Sequence, residues 1–144
     1  MKRKLMSITL CAAMMGTVFG SAAAVYAGDE GAEQGSVLNI YCWNEEFKTR
    51  ITDHYPDYEE VDATTGKIGD ITVNWNITPN DDNAYQNNLD ATLLKQADAA
   101  TDDKIDMFLV EADYSLKYVD SEYTMSVADL GITDADLEKQ YQYT

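Results

Sequence analysis

Three apolar runs separated by two stretches of helical periodicity constrain this chain most: "VLNIYCW" (37–43), "ITVNWNIT" (71–78) and "IDMFLV" (105–110). Short apolar runs bounded by turn residues read as strands, and apolar residues recurring at i and i+4 read as helices. Between the first two runs, Phe47, Ile51 and Tyr55 stand four residues apart. Pro56 ends that helix, because the residue before a proline avoids the helical region. Between the second and third runs, Tyr85, Leu89, Leu93 and Ala97 form one stripe, widened by Leu94, which predicts a long helix over 83–99. The order β-α-β-α-β predicts an α/β layer with a parallel sheet rather than an α+β or all-β domain.

The runs differ in a way that orders them. The first is apolar on both faces except at Asn39, as a central, covered strand requires. The second alternates Ile71, Val73, Trp75 and Ile77 with Thr72, Asn74, Asn76 and Thr78, which suits a sheet edge with one wet face. The third is again largely apolar. With right-handed crossovers, these predict a mostly parallel sheet of order 2-1-3 with helices on both faces. "DATTGKIGD" (62–70) reads as a turn-rich connection. Past residue 113 the pattern weakens. There "YSLKYV" predicts a short helix, "MSVADLG" a brief extended piece and "TDADLEKQY" a capped helical turn.

In an open α/β sheet, ligands bind outside the carboxyl ends of the strands at the topological switch, here between the first and third strands. That places Trp43, Asn44, Glu45 and Glu46 opposite Glu111, Asp113 and Tyr114. Aromatic rings beside carboxylates suit a polar ligand with apolar faces, sugars above all. The same residues also have structural uses. Asn44 can cap the first helix, and Glu45 and Glu46 fit its first turn. Trp75 and Tyr85 read as packing residues.

The N-terminus has the form of an export signal over residues 1–27. A basic cluster, Lys2-Arg3-Lys4, precedes an uncharged apolar run, and Val25-Tyr26-Ala27 offers a cleavage site before Gly28. Cys11 follows Leu10, where a lipid-attachment motif would have a small residue. Residues 28–36, "GDEGAEQGS", read as a flexible acidic linker. Without the first 27 residues, the remaining 117 carry seven basic against 26 acidic side chains, a net charge of −19. Such a surface disfavours nucleic acid and anionic lipid as partners. Cys42 is then the sole cysteine, so no internal disulfide is available, and it reads as an inert buried thiol.

A leader, followed by "VLNIYCWNEEF" and by "NITPNDDNAYQNNLDATLLKQADAATDDKIDMFLVEADYSLKYV", resembles the family 1 extracellular solute-binding proteins, the carbohydrate receptors of ABC importers. The resemblance spans about residues 37–130 and rests on the order of elements. It implies a periplasmic-binding-protein-like lobe over 37–144, with ligand loops at Trp43 to Glu46 and at Glu111 to Tyr114. A lesser contact falls at Asp82 and Asn83. It also implies a sugar ligand, a membrane permease as partner, no cofactor and no catalytic residues. Members of the family close two lobes around a cleft, and their chains are more than twice this long. The sequence therefore looks like an N-terminal lobe truncated before its second, C-terminal lobe, exported to the periplasm or the cell surface.

Two other readings compete. Paired carboxylates across a sugar-sized crevice are what a glycosidase uses, but no Ser-His-Asp order, phosphate loop or zinc pattern accompanies them. A receiver-like acidic domain also has carboxylates at strand ends, yet such domains carry no export signal. No metal is expected, because the Asp pairs at 81–82 and 102–103 lack the alternating oxygen ligands of a calcium loop.

Overall fold

The computed structural model describes residues 35–119 and 121–141; the expected signal and residues 28–34 of the linker lie outside them. Strand β1 (Val37–Cys42) is parallel to its neighbours on both sides. On one side it pairs with β4 (Ile71–Ile77), from Val37↔Thr72 to Cys42↔Ile77. On the other lies β5, reduced to Met107–Phe108, with Ile40↔Met107 and Tyr41↔Phe108. An antiparallel hairpin of β2 (Tyr58–Glu60) and β3 (Thr65–Ile68) continues the sheet beyond β4. The order is β2-β3-β4-β1-β5, so the fold is α/β with a mixed five-stranded sheet rather than a mostly parallel one.

The hairpin corrects two expectations: 62–70 is more than a connection, and β4 is not an edge. Strands of three and four residues are too short to show an alternation, and Thr-Thr-Gly-Lys carries turn chemistry. The turn itself is local, with Asp62 Oδ1 accepting the Thr64 N–H at 2.8 Å. Gly66 is needed for space. A Cβ there would lie 2.3 Å from the Tyr58 hydroxyl, because the Tyr58 ring lies across it. That hydroxyl accepts the Trp75 indole N–H at 2.9 Å, linking β2 to β4 over the glycine.

Helix α1 (Glu46–His54) starts one residue later than an Asn44 cap implies. Glu45 takes the N-cap position with near-helical backbone, while Asn44 Oδ1 accepts the Glu46 N–H at 3.0 Å. Phe47 and Ile51 pack against Ile40, Cys42, Val73 and Trp75; Tyr55 lies past the helix end and is exposed. Lys48 is buried, and its ammonium donates to the Ala63 carbonyl (2.8 Å) and the Glu60 carboxylate (3.3 Å), tying α1 to the hairpin.

Helix α2 spans Ala84–Leu93, well short of 83–99. At its start Asp82 (φ 50°) and Asn83 (φ 62°) are both left-handed, a region these two residue types tolerate. At its end the Gln96 side chain accepts the Ile105 N–H and donates to the Ile105 carbonyl, holding 96–98 as a separate 3-10 turn. Tyr85, Leu89 and Leu93 are buried with Tyr41, Trp43, Phe108 and Val110 around them, while Leu94 is exposed. Successive strand residues point to opposite faces. Ile40 and Cys42 therefore serve the α1 core, and Tyr41 and Trp43 serve the α2 core.

Asn39, the polar exception of β1, is 7% exposed and fully used. Its amide donates to the Asp102 and Lys104 carbonyls, both at 2.8 Å, and its oxygen accepts from Asn74. It pins the segment that leads into β5.

Beyond β5 there are 3-10 turns at Ser115–Lys117 and at Val127–Leu130, the latter where an extended piece was expected. Gly131 (φ 82°) closes the second. Helix α3 (Asp134–Leu137) carries the reciprocal Thr133–Asp136 capping box. This segment buries Tyr118 but leaves Leu116, Val119, Met125, Val127 and Leu130 exposed. Among the described residues, no helix is long and apolar enough to cross a membrane.

Candidate functional site

The site follows from how the C-terminal ends of β1, β4 and β5 are held. The register brings the end of β1 beside that of β5, and the Leu109 N–H donates to the Tyr41 carbonyl at 3.0 Å. The end of β4 is tied on the other side by the Thr78 N–H to the Cys42 carbonyl at 2.9 Å. From there residues 78–83 lead through the two left-handed residues into α2, so the first turn of α2 meets the ends of β1 and β5.

Tyr85 makes that junction. Its ring is fully buried, and its hydroxyl lies 3.0 Å from the Tyr41 carbonyl and 2.7 Å from the Leu109 carbonyl. One phenolic hydrogen is shared between the two oxygens, with the shorter contact on β5. Burial pushes the phenol well above its ordinary pKa, with Tyr114 acting in the same direction, so the donor is retained through the ordinary pH range. Trp43 and Tyr85 make a T-shaped ring pair, with centroids 5.5 Å apart and planes at 71°. It is half-buried, which leaves part of the indole at the surface.

The remaining residues expected at the site distribute as follows. Asn44, Glu45 and Glu46 are exposed at the start of α1. Glu46 pairs with Arg50 one turn on at 3.3 Å, an exposed i,i+4 pair worth a few tenths of a kcal/mol. Glu45 lies at one end of a polar groove of about 400 Å³, which runs along α1 past Lys48, Thr52 and Asp53 to Glu60. Glu111 and Asp113 are exposed on the turn after β5, where the Tyr114 N–H donates to the Glu111 carbonyl at 3.2 Å. Tyr114 belongs to the same apolar cluster as Trp43 and Tyr85. Its phenol is raised by burial, and the charges of Glu111 and Asp113 act the same way. Asp82 and Asn83 are exposed in the turn that delivers Tyr85.

The structure thus brings Trp43 and Tyr114 into one cluster and sets Asp82 and Asn83 next to the helix turn that contacts Trp43. Glu45 is shared with the neighbouring groove. Among the described residues, two buried side-chain polar atoms have no hydrogen-bond partner, Asn80 Oδ1 and the Tyr114 hydroxyl. Both lie in the segments that meet at this edge.

Two features escape the sequence patterns. Tyr85 does more than pack; the available signal was a tyrosine on the buried stripe of a helix, since a buried phenol needs a partner. The second is a mainly apolar groove of about 280 Å³ lined by Leu93, Leu94, Tyr118 and Tyr123, with Asp90 and Lys117 beside it. Asp90 holds the Lys117 ammonium and accepts the Tyr118 hydroxyl at 2.9 Å. Cys42 is buried, and burial raises its thiol pKa, which disfavours the reactive thiolate. Among the described residues, no group of three or more His, Cys, Asp or Glu side chains is placed to share a metal ion. Comparison of the chain with protein-family models, with curated proteins and with solved structures gives no match.

Proposed function

We propose that the chain is the amino-terminal lobe of an exported solute-binding protein that captures a sugar or oligosaccharide for a membrane permease. One observation carries this reading. The ends of β1 and β5 and the first turn of α2 converge on a partly exposed tryptophan, with exposed carboxylates on each flanking segment. A partly exposed indole ring beside hydrogen-bonding acids matches the two kinds of surface on a pyranose, its C–H faces and its hydroxyls. In this reading β4, β1 and β5 form the parallel part of a periplasmic-binding-protein-like lobe, the expected 2-1-3 order, with β2 and β3 as an addition to it. A second lobe would supply the other wall of the cleft, and the chain would act by binding rather than by catalysis.

The test is tryptophan fluorescence of the protein titrated with a panel of mono- and oligosaccharides. Trp75 is 3% exposed and serves as a constant background, whereas Trp43 is placed to respond. A saturable change that disappears in Trp43→Phe supports the reading. A folded protein with no response across the panel counts against it.

A further inference from the structure

The groove between the end of α2 and the turns after β5 is satisfied on its polar side and bare on its apolar one. It measures about 280 Å³ and is lined by Leu93, Leu94, Tyr118 and Tyr123. Asp90 is occupied by the Lys117 ammonium and the Tyr118 hydroxyl. A charged ligand would have to break into that arrangement, whereas an apolar side chain would not. Leu94 is 76% exposed, and Leu116 and Val119, which flank Lys117 and Tyr118 in the chain, are 83% and 57% exposed. Exposed apolar residues grouped beside a groove mark a docking surface.

Charge and chain path together select the occupant. Beyond residue 27 the chain carries seven basic against 26 acidic side chains, so a second copy brings the same strong negative charge and is repelled. Residues 1–27 have the opposite character. They hold Lys2, Arg3 and Lys4, no Asp or Glu, and the uncharged apolar run 5–20. They also join the domain near the groove. The Ser36 N–H and hydroxyl donate to the Asp102 carboxylate at 2.7 and 3.1 Å, which fixes the point of entry. Only the stretch 94–102 separates Leu94 from Asp102, and 3-10 turns at Gln96–Asp98 and Thr101–Asp103 shorten that path. The linker 28–35 is of similar length and reaches roughly 3.5 Å per residue when extended, so it spans the distance with length to spare.

We propose that this groove is the docking site of the chain's own leader: apolar side chains from the run 5–20 cover Leu94 and Tyr123, and the basic cluster is held by the acidic domain. The apolar area removed from water favours the docked arrangement by at least about tenfold. Removal of the leader bares the groove. The inference is independent of the saccharide reading.

The leader carries its own probe in Cys11, because Cys42 is fully buried and burial raises its thiol pKa. The full 144-residue chain is prepared with Leu94→Cys and, separately, with Val61→Cys, an exposed position on the turn between β2 and β3. Neither substitution touches the core. Both positions lie within reach of Cys11, since residues 12–34 extend to roughly 80 Å. Disulfide formation within one chain is followed under mild oxidation by non-reducing electrophoresis and intact mass. Leu94→Cys should cross-link to Cys11 at least about tenfold faster than Val61→Cys, and the two rates should converge in denaturing urea. Equal rates in native buffer, or a ratio that survives in urea, would overturn the proposal. So would a Leu94→Cys product dominated by dimers joined through the introduced thiols, which would place a second copy on the groove instead.

Discussion

Replacing Gly66 by alanine would place a methyl group 2.3 Å from the Tyr58 hydroxyl and 2.4 Å from two of its ring carbons, so the ring must leave. No backbone strain is involved; the effect is one of space alone. When Tyr58 moves, the Trp75 indole N–H loses its 2.9 Å acceptor inside the core, and an unsatisfied buried donor costs about 1–3 kcal/mol. The edge-to-face contact between the two rings, 6.3 Å between centroids, is lost as well, at about 0.5–1.5 kcal/mol. The expected destabilisation is about 2–4 kcal/mol, a large part of the stability of a domain this small. Urea unfolding followed by tryptophan emission measures it, and Trp75 emission should change as its environment opens. Tyr58→Ala on its own should cost a similar amount. Combining the two substitutions should cost clearly less than the two effects added, because the alanine no longer meets a ring. A Gly66→Ala protein within about 0.5 kcal/mol of the wild type, with unchanged emission, would refute the reasoning, since that is the range of an ordinary surface substitution.

Tyr85→Phe keeps the ring against Trp43 but leaves the Tyr41 and Leu109 carbonyls without the shared hydroxyl, and should lower the unfolding free energy by about 1–2 kcal/mol with an unchanged denaturant slope. Asn39→Ala strips two part-buried carbonyls of their donor and should cost about 1–2 kcal/mol; amide exchange should accelerate at Ile105 and Asp106 more than in α1. The Asp102 carboxylate accepts the Ser36 N–H and hydroxyl, which holds its pKa below the usual carboxylate value. A depressed folded pKa means the contribution is present above the unfolded value of about 4 and lost as pH falls through the folded one. Ser36 amide protection should therefore fall in acid, and Asp102→Asn should flatten that dependence. Asp106 opposes this trend, because burial raises its pKa; its contribution is present at low pH and lost as pH rises through the raised value.

The parts of the fold legible from sequence were those with long, strong periodicity. β1 is read from a run apolar on both faces, and the buried stripe of α2 from Tyr85, Leu89 and Leu93. The hairpin was hidden because its glycine mimics a turn: Gly66 looks like a breaker until Tyr58, eight residues earlier, is known to lie over it. The far end of α2 escapes the local pattern for a similar reason. Ala97 continues the apolar stripe, but Gln96 is committed to the backbone of Ile105, a pairing that no local pattern contains. At the candidate site, the strand ends could be located from topology. The unpaired atoms of Asn80 and Tyr114 could not, since satisfaction of a hydrogen bond is a property of three-dimensional neighbours.

Because alternate residues of β1 belong to two cores on opposite sides of the sheet, six residues couple both halves of the molecule into one cooperative unit. Neither helix can keep its apolar face covered once that strand is displaced, so the two layers should melt together rather than in sequence. The timing of synthesis is affected too. Ile40 meets Trp75 on one side and Met107 on the other, both far downstream. A nascent chain therefore presents a strand that is apolar on both faces for as long as it takes to make some seventy further residues, and pairing of such high contact order is slow to form. This is the interval in which the chain depends on being shielded, or on remaining unfolded, until β5 emerges.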